Sequence, residues 1–397
     1  MQRLRAELEA SSDRSRQARL LMEVAELEER SGDEPGAARD YLAAYNADQT
    51  FREPLESLVR LLERRRSVKN LGKLIDTLVR VAITPEEKAR ALSMRAAYQA
   101  DVAADLSEAK ASLREATQVE GAPTAEQAYA WLSFEVLAGR AGDPSTRELA
   151  LGERSKLARD PLWRALLLLD CARLAWSTGE GPRAAALIEE ARSLESAATW
   201  AATAQLEHLT SERAAMAAPD DARAHAEAHA DALDALAGLM EQAALDPARG
   251  DALGVPHWAR QPARLVDAWL RAAAARRVLG QLDRAAATLD RALEFEAPGF
   301  KLEHDALAEG AIVSARVRIA EHTGDTALAA RLAERRLGAS RDGGALSAAL
   351  AMRIAEHAAS EGDGRRAFEA LSRAVACDPG CLPARALQLD MLADSGD

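Results

Sequence analysis

Apolar positions in this chain recur at intervals of three and four residues, and runs rich in Val, Ile and Thr that would read as strands are almost absent. The pattern is plainest in LSAALAMRIAEHAASEGDGRRAFEALSRAVACDPG, where Ile354, Ala355 and Ala358 share one helical stripe. Gly362-Asp363 interrupts that stripe, and Ala367, Leu371 and Ala374 resume it until Asp378-Pro379. A glycine free to adopt positive φ ends the first helix, and the aspartate after it caps the second. Proline then closes the unit, because it has no N–H to continue the helix. The predicted element is a helical hairpin, with Ala355, Ala367 and Ala374 where the two backbones approach most closely.

The hairpin repeats. A start at Ala18 gives Ala25, Gly32-Asp33, Ala37, Tyr41 and Ala44 at matching places. A start at Arg90 gives Ala97, Ala104-Asp105, Ala109, Leu113 and Ala116, with alanine in the glycine position. Residues 12–44 and 84–116 thus pair Leu20 with Leu92, Met22 with Met94, Ala25 with Ala97 and Asp33 with Asp105. From Arg52 a stripe of Leu55, Leu58, Val59, Leu62, Leu71, Ile75 and Leu78 lacks both glycine and small residues. Starts at Ala165 (Ala172, Gly179, Ala184, Ile188, Ala191) and Val266 (Trp269, Ala273, Gly280, Ala285, Leu289, Ala292) repeat the scheme. The unit from Ala128 carries Trp131 and Gly142-Asp143, with its second helix displaced by an insertion. The unit from Gly310 keeps Gly324-Asp325 and Ala329 but has Arg336 where a small residue belongs.

Between Gln205 and His257 no glycine-aspartate joint falls at the expected spacing. Pro219-Asp220-Asp221 reads as a turn and helix cap, followed by a long alanine-rich helix to Asp246-Pro247. Two frames fit: two degenerate repeats, or one repeat with elongated helices. GDALGVPHWARQP is a predicted loop in both. The expected organisation is repeats over 1–204, an irregular region over 205–265 and repeats again over 266–397. The start, QRLRAELEA, looks like the second helix of a further unit, and LPARALQLDMLADSGD like a first helix with its Gly396-Asp397 joint. A longer parent chain is therefore expected.

This arrangement resembles the tetratricopeptide repeat, in the degenerate form of bacterial arrays. That family keeps small residues at positions 8, 20 and 27 of a 34-residue unit and a proline at 32. With Ala348 as position 1 these are Ala355, Ala367, Ala374 and Pro379. The resemblance implies an all-α, right-handed superhelix (an α-solenoid) of about ten repeats, with an elongated, curved envelope. It places Trp131, Trp200 and Trp269 near position 4, as core wedges. It also implies that positions 2, 5, 9 and 12 of each first helix line a concave groove for a peptide or protein. Those positions give Met22, Met94, Tyr98, Tyr129, Leu169, Arg173, Trp176, Arg277 and Arg318, with Arg173 and Trp176 at the centre. The variety that clamps chaperone tails uses an asparagine at position 6. The two asparagines here, Asn46 and Asn70, lie elsewhere, so that clamp is not expected.

Composition narrows the function. Hydrophobic residues make up 48% and aromatics 4%, so the apolar content is mostly Ala and Leu, which suits closely packed helices. A net charge of −12 argues against nucleic acid as partner. The basic run Arg64, Arg65, Arg66 and Lys69 reads as a solvated helix end. No apolar segment reaches the roughly 18 residues of a membrane span, and no signal peptide opens the chain. Three cysteines, Cys171, Cys377 and Cys381, do not make a disulfide framework, and a cytoplasmic location is expected. Cys171, Cys377 and Cys381 read as core filling.

Candidate chemistry is thin. His225 and His229 stand four apart with Glu227 and Asp231 nearby, the weak candidate for a metal pair, but no third ligand is evident and a solvated helix face fits better. Asp220-Asp221 is followed by Ala-Arg-Ala, so the aspartate-rich metal motif of helical terpene cyclases is absent; Glu28-Glu29, Glu86-Glu87 and Glu189-Glu190 read as helix surfaces, and neither a phosphate loop nor a nucleophile elbow is present. No catalytic residue and no cofactor is predicted. The expected function is a non-catalytic scaffold for protein interaction. The alternative is a regulatory or substrate-docking arm of an enzyme whose catalytic domain lies outside this chain. A solenoid within a cell-envelope hydrolase is a third reading, which would require an export signal.

Overall fold

The computed structural model describes residues 1–65, 67, 70–298, 300–302, 305–339 and 343–395; Arg66, Lys69 and the Gly396-Asp397 joint lie outside them. The chain is all-α and divides into two compact units, Met1–Arg159 with Arg173–Thr178, and Asp160–Ala172 with Gly179–Asp397. In the first, α1 (Gln2–Ala10) packs on α2 (Arg14–Ser31), which pairs with α3 (Glu34–Ala47). Three more hairpins follow: α4 (Glu53–Arg64) with α5 (Leu71–Val81), α6 (Pro85–Asp101) with α7 (Leu106–Thr117), and α8 (Thr124–Arg140) with α9 (Pro144–Leu157). Helix α10 (Pro161–Ser177) is shared between the units.

The second unit continues with α11 (Gly181–Ser193), the pair α12 (Thr199–Met216) and α13 (Ala222–Leu245), and short α14 (Pro247–Ala252). A 3₁₀ turn at His257–Arg260 leads into α15 (Pro262–Val278) and α16 (Leu282–Glu294). A two-residue ribbon, β1 (Glu296–Ala297) against β2 (Phe300–Lys301), precedes α17 (Ala306–Thr323) and α18 (Thr326–Ala339). The last elements are α19 (Ala345–Ser360), α20 (Gly364–Cys377) and α21 (Leu382–Ser395). Within each unit most helices pack on their neighbours in sequence, so each is a solenoid-like stack of tetratricopeptide-like hairpins.

The joints show why the hairpins form. Gly32, Gly142, Gly280, Gly324 and Gly362 all take φ between 64° and 88°, where a Cβ is disfavoured. The next residue's N–H returns to the carbonyl five residues back, as in Asp33 to Glu28 and Asp363 to Ala358, both 2.9 Å. Asp33, Asp143, Asp325 and Asp363 then accept from the N–H three residues on, at 2.9–3.0 Å. One short sequence therefore satisfies the orphan groups of two helix ends. The alanines predicted at the crossings, Ala25, Ala37, Ala273, Ala285, Ala355, Ala367 and Ala374, are buried.

One predicted register is off by a residue. At the alanine-containing joint the Asp105 N–H reaches back six residues, to Gln99 O at 2.8 Å, and Ala104 holds φ 55°. The extra residue turns the preceding helix, so Ala96, not Ala97, is buried in α6, and Ala97 is exposed. The second helices keep the predicted pairing, with Ala109, Leu113 and Ala116 buried.

The region from 205 to 257 is one hairpin with elongated helices, of 18 and 24 residues. Asp221 does not cap the second: it sits at φ −100°, ψ −10°, and no side-chain bond forms. The predicted loop takes in the end of α14 and the 3₁₀ turn, and its Gly254 backbone lies so close to the Ala197 carbonyl that a Cβ would collide. Arg336, the large residue at a small position, is accommodated from the other side: a methyl at Gly310 would meet its guanidinium. Trp269 is fully buried, edge-on to Phe295 at 5.2 Å. Trp131 and Trp200 are only partly buried, Trp131 beside Phe134 and Trp200 edge-on to Trp258, both at 5.9 Å. Cys171 is buried, and Cys377 and Cys381 are half-buried against a separate core built by α17 to α21.

Candidate functional site

Where the first helices of successive hairpins lie side by side, small residues leave clefts. In the first unit α6 and α8 border one of about 250 Å³. Ser93, Ala96, Ala97 and Ala100 form one wall, Leu132, Val136 and Leu137 the other, and Leu113 of α7 the floor. Alanine's short side chain on α6 is the cause of the opening. At the rim Arg140 is paired with Asp101 at 2.6 Å. Beside it α8 exposes Tyr129 and Val136, each 55%, and Leu132, 39%.

The second unit repeats the geometry with α15 and α17, around a cleft of about 270 Å³. Leu270, Ala273, Ala274 and Arg277 come from α15, Ala315, Arg318 and Ile319 from α17, and Leu289 of α16 lies beneath. A larger cleft of about 420 Å³ lies elsewhere in this unit, among α11, α12, α13 and α14. It is polar, and its arginines are neutralised in place, Arg192 by Glu189 at 2.7 Å and Arg249 by Glu195 at 2.5 Å.

The predicted groove residues do not share one environment. Tyr129, Arg173, Arg277 and Arg318 are exposed and Trp176 is partly exposed, and Arg277 and Arg318 meet in the α15–α17 cleft. Met22 and Leu169 are buried and offer a partner no surface. Met22 packs beside Ala25 and Tyr41 because the α2–α3 crossing is narrow there. Met94 and Tyr98 are turned by the extra residue at the Ala104 joint and pack against the α4–α6 core. The Tyr98 ring covers Gly72, where an added Cβ would lie 2.8 Å away. Ala97 and Ala100 take their place at the cleft.

Leu132 and Val136 were not singled out from sequence, although they stand at positions 5 and 9 of the repeat that starts at Ala128. An apolar residue on an amphipathic helix reads as core, and only the opening of the α6–α8 cleft shows otherwise. Trp163, 59% exposed at the start of α10, also carried no signal.

Around the α15–α17 cleft the charges are ordered. On α15, Arg276 points away from the cleft and is buried, with Nε 2.8 Å from Asp234 and Nη1 2.9 Å from Gln281. Burial opposes its charge, but the bonds to Asp231 and Asp234 outweigh that and raise its pKa. On α17, Arg316 is likewise buried and paired with Asp290 at 2.7 Å.

His225 and His229 are both half-buried on α13, and His229 Nδ1 lies 3.4 Å from Thr210 Oγ1. Among the described residues no group of three or more His, Cys, Asp or Glu side chains is placed to hold a metal ion. No helix among them is long and apolar enough to cross a membrane.

Helix pairs, positive-φ joints and clefts between first helices together define an all-α array of tetratricopeptide-like repeats. No protein-family profile and no curated protein matches the sequence. Solved structures similar to it include the MamA protein, at 15% identity and TM-score 0.34, over 45% of this chain and 91% of that one. The tetratricopeptide domain of P58(IPK) aligns over 95% of this chain and 99% of its own, at 14% identity and TM-score 0.26. A tetratricopeptide repeat protein from Parabacteroides merdae aligns over 77% and 98%, at 14% identity and TM-score 0.27.

Proposed function

We propose that the chain is a non-catalytic interaction scaffold that binds a peptide or protein along the faces of its first helices. The observation that carries this reading is the α6–α8 cleft, where Tyr129, Leu132 and Val136 stay exposed beside an apolar opening. Large apolar side chains grouped on one helix face lose water only when something covers them. A covering protein supplies that, whereas nucleic acid would bring phosphates to a chain of net charge −12.

The test is capture of partners from the source cell by three folded proteins: wild type, Leu132→Asp with Val136→Asp, and Arg173→Ala with Trp176→Ala. The scaffold reading expects the first double variant to lose partners that wild type retains. The second variant asks whether the middle of the first-helix face also contributes. Identical recoveries from all three, with unchanged circular dichroism, would remove the first-helix faces as the binding surface.

A further inference from the structure

The α15–α17 cleft differs from the other clefts in its charges. In the α6–α8 cleft Arg140 is neutralised by Asp101, and in the polar cleft Arg192 and Arg249 have their own glutamates. In a small cleft among α4, α5 and α6, Arg52 is held by Glu87, and Arg90 by Glu86 and Glu126. Arg277 and Arg318 have no such partner. Among the described residues the Arg277 guanidinium makes no hydrogen bond or ion pair, and that of Arg318 reaches only the Ser314 carbonyl of its own helix, at 3.3 Å. The remaining lining is apolar: Leu270, Ala273, Ala274, Leu289, Ala315 and Ile319. Each helix thus carries one arginine that is buried and paired, Arg276 or Arg316, and a second that faces the cleft without a carboxylate.

We propose that this cleft receives an acidic–apolar segment of a partner polypeptide. One apolar side chain enters between the two helices, and a neighbouring Asp or Glu carboxylate meets Arg277 and Arg318. The proposal rests on the scaffold reading and names the chemistry of the partner at this place. The size supports a side chain: about 270 Å³ falls below the range of roughly 300–1,000 Å³ usual for small-molecule sites. Guanidinium groups suit the carboxylate, since each offers a planar fork of donors and is weakly hydrated. The chain's overall negative charge does not oppose this, because ionic strength screens exposed charges beyond about 8 Å. The local pair of cations then sets the preference.

Fluorescence anisotropy with the full chain and four labelled peptides of equal length tests the proposal. The peptides alternate Leu with Glu, Leu with Gln, Leu with Lys, and Ser with Glu. The Leu/Glu peptide is expected to bind at least about tenfold more tightly than each of the others. Arg277→Gln with Arg318→Gln should erase its advantage over the Leu/Gln peptide. Arg277→Glu with Arg318→Glu should transfer the preference to the Leu/Lys peptide. Arg223→Gln with Arg365→Gln, exposed positions outside the cleft that remove the same charge, should leave all four affinities unchanged. Equal binding of the Leu/Glu and Leu/Gln peptides, an unaltered preference in the Gln variant, or no binding up to about 1 mM overturns the proposal. Such a failure leaves the scaffold reading standing on the α6–α8 cleft, whereas failure of that reading appears separately, as unaltered partner capture.

Discussion

Replacing Ala104 by glycine should stabilise the protein, and replacing Gly362 by alanine should destabilise it. Ala104 holds φ 55° in the joint between α6 and α7, a backbone region that costs a Cβ-bearing residue about 1–2 kcal/mol. The residue is exposed, so removing its methyl forfeits no buried packing. Against the relief stands the greater freedom of glycine in the unfolded chain, worth about 0.4–1 kcal/mol. The balance is a gain of about 0.5–1 kcal/mol. At Gly362, φ is 80° and a built Cβ would have no atom within 4 Å, so alanine there meets only the backbone cost and loses a similar amount. Urea unfolding followed by circular dichroism reads the midpoint of each variant. Because repeat arrays need not unfold in one step, hydrogen exchange at the Asp105 amide gives the local counterpart. Slower exchange at Asp105 and a higher midpoint are expected for Ala104→Gly. A lower midpoint, with Gly362→Ala still destabilising, would refute the argument that this joint is strained by its alanine.

Gly72→Ala should cost about 1 kcal/mol, the low end for overpacking, because the Tyr98 ring that blocks the new methyl is only half-buried and has room to yield; a urea midpoint equal to wild type would show that the ring does not fix this position. Arg276→Met should cost about 2 kcal/mol, less than the 3–5 of a fully enclosed pair because Asp231 and Asp234 keep contact with water. Adding Asp234→Leu should recover part of that loss in the same unfolding assay. Hydrogen bonds from Thr50 and Ser15 hold the Asp48 carboxylate down from 3.8 to about 2, so the tie between α2 and the end of α3 is present above the ordinary carboxylate value and lost as pH falls through about 2. Asp48→Asn should flatten that part of an acid titration followed by hydrogen exchange in α3, and an unchanged profile would count against it.

The joints were legible in the sequence because their chemistry is local. Glycine followed by aspartate states a positive φ and a cap within two residues, and alanines at fixed distances from it mark the crossings. The register of α6 was not legible, since an alanine-containing joint gives no sign that it holds one residue more. That single residue moved Met94 and Tyr98 off the cleft and brought Ala97 onto it. The pairing of Arg336 with Gly310 was hidden for another reason: each residue departs from the repeat pattern alone, and only packing across two helices reveals the compensation. In α13 alanine falls on nearly every face, so no stripe told one long helix from two short ones. At the clefts, residue type was informative where it was charged, as with Arg277 and Arg318, and ambiguous where it was apolar, as with Leu132.

The long hairpin of α12 and α13 separates covalent continuity from structural necessity. Its buried side chains stop at Thr210 on the outgoing helix and begin again at Ala230 on the return, so residues 211–229 bury none. The connecting turn around Pro219 lies within that stretch, beyond the part of the hairpin that packs. A break there leaves intact the surface by which the two helices meet, from Thr199–Thr210 on one side and Ala230–Ala243 on the other. Two polypeptides divided at Pro219 would each retain their own face of this contact. The second unit therefore contains a natural place to split the gene product into fragments that reassemble, or to insert a reporter domain between them.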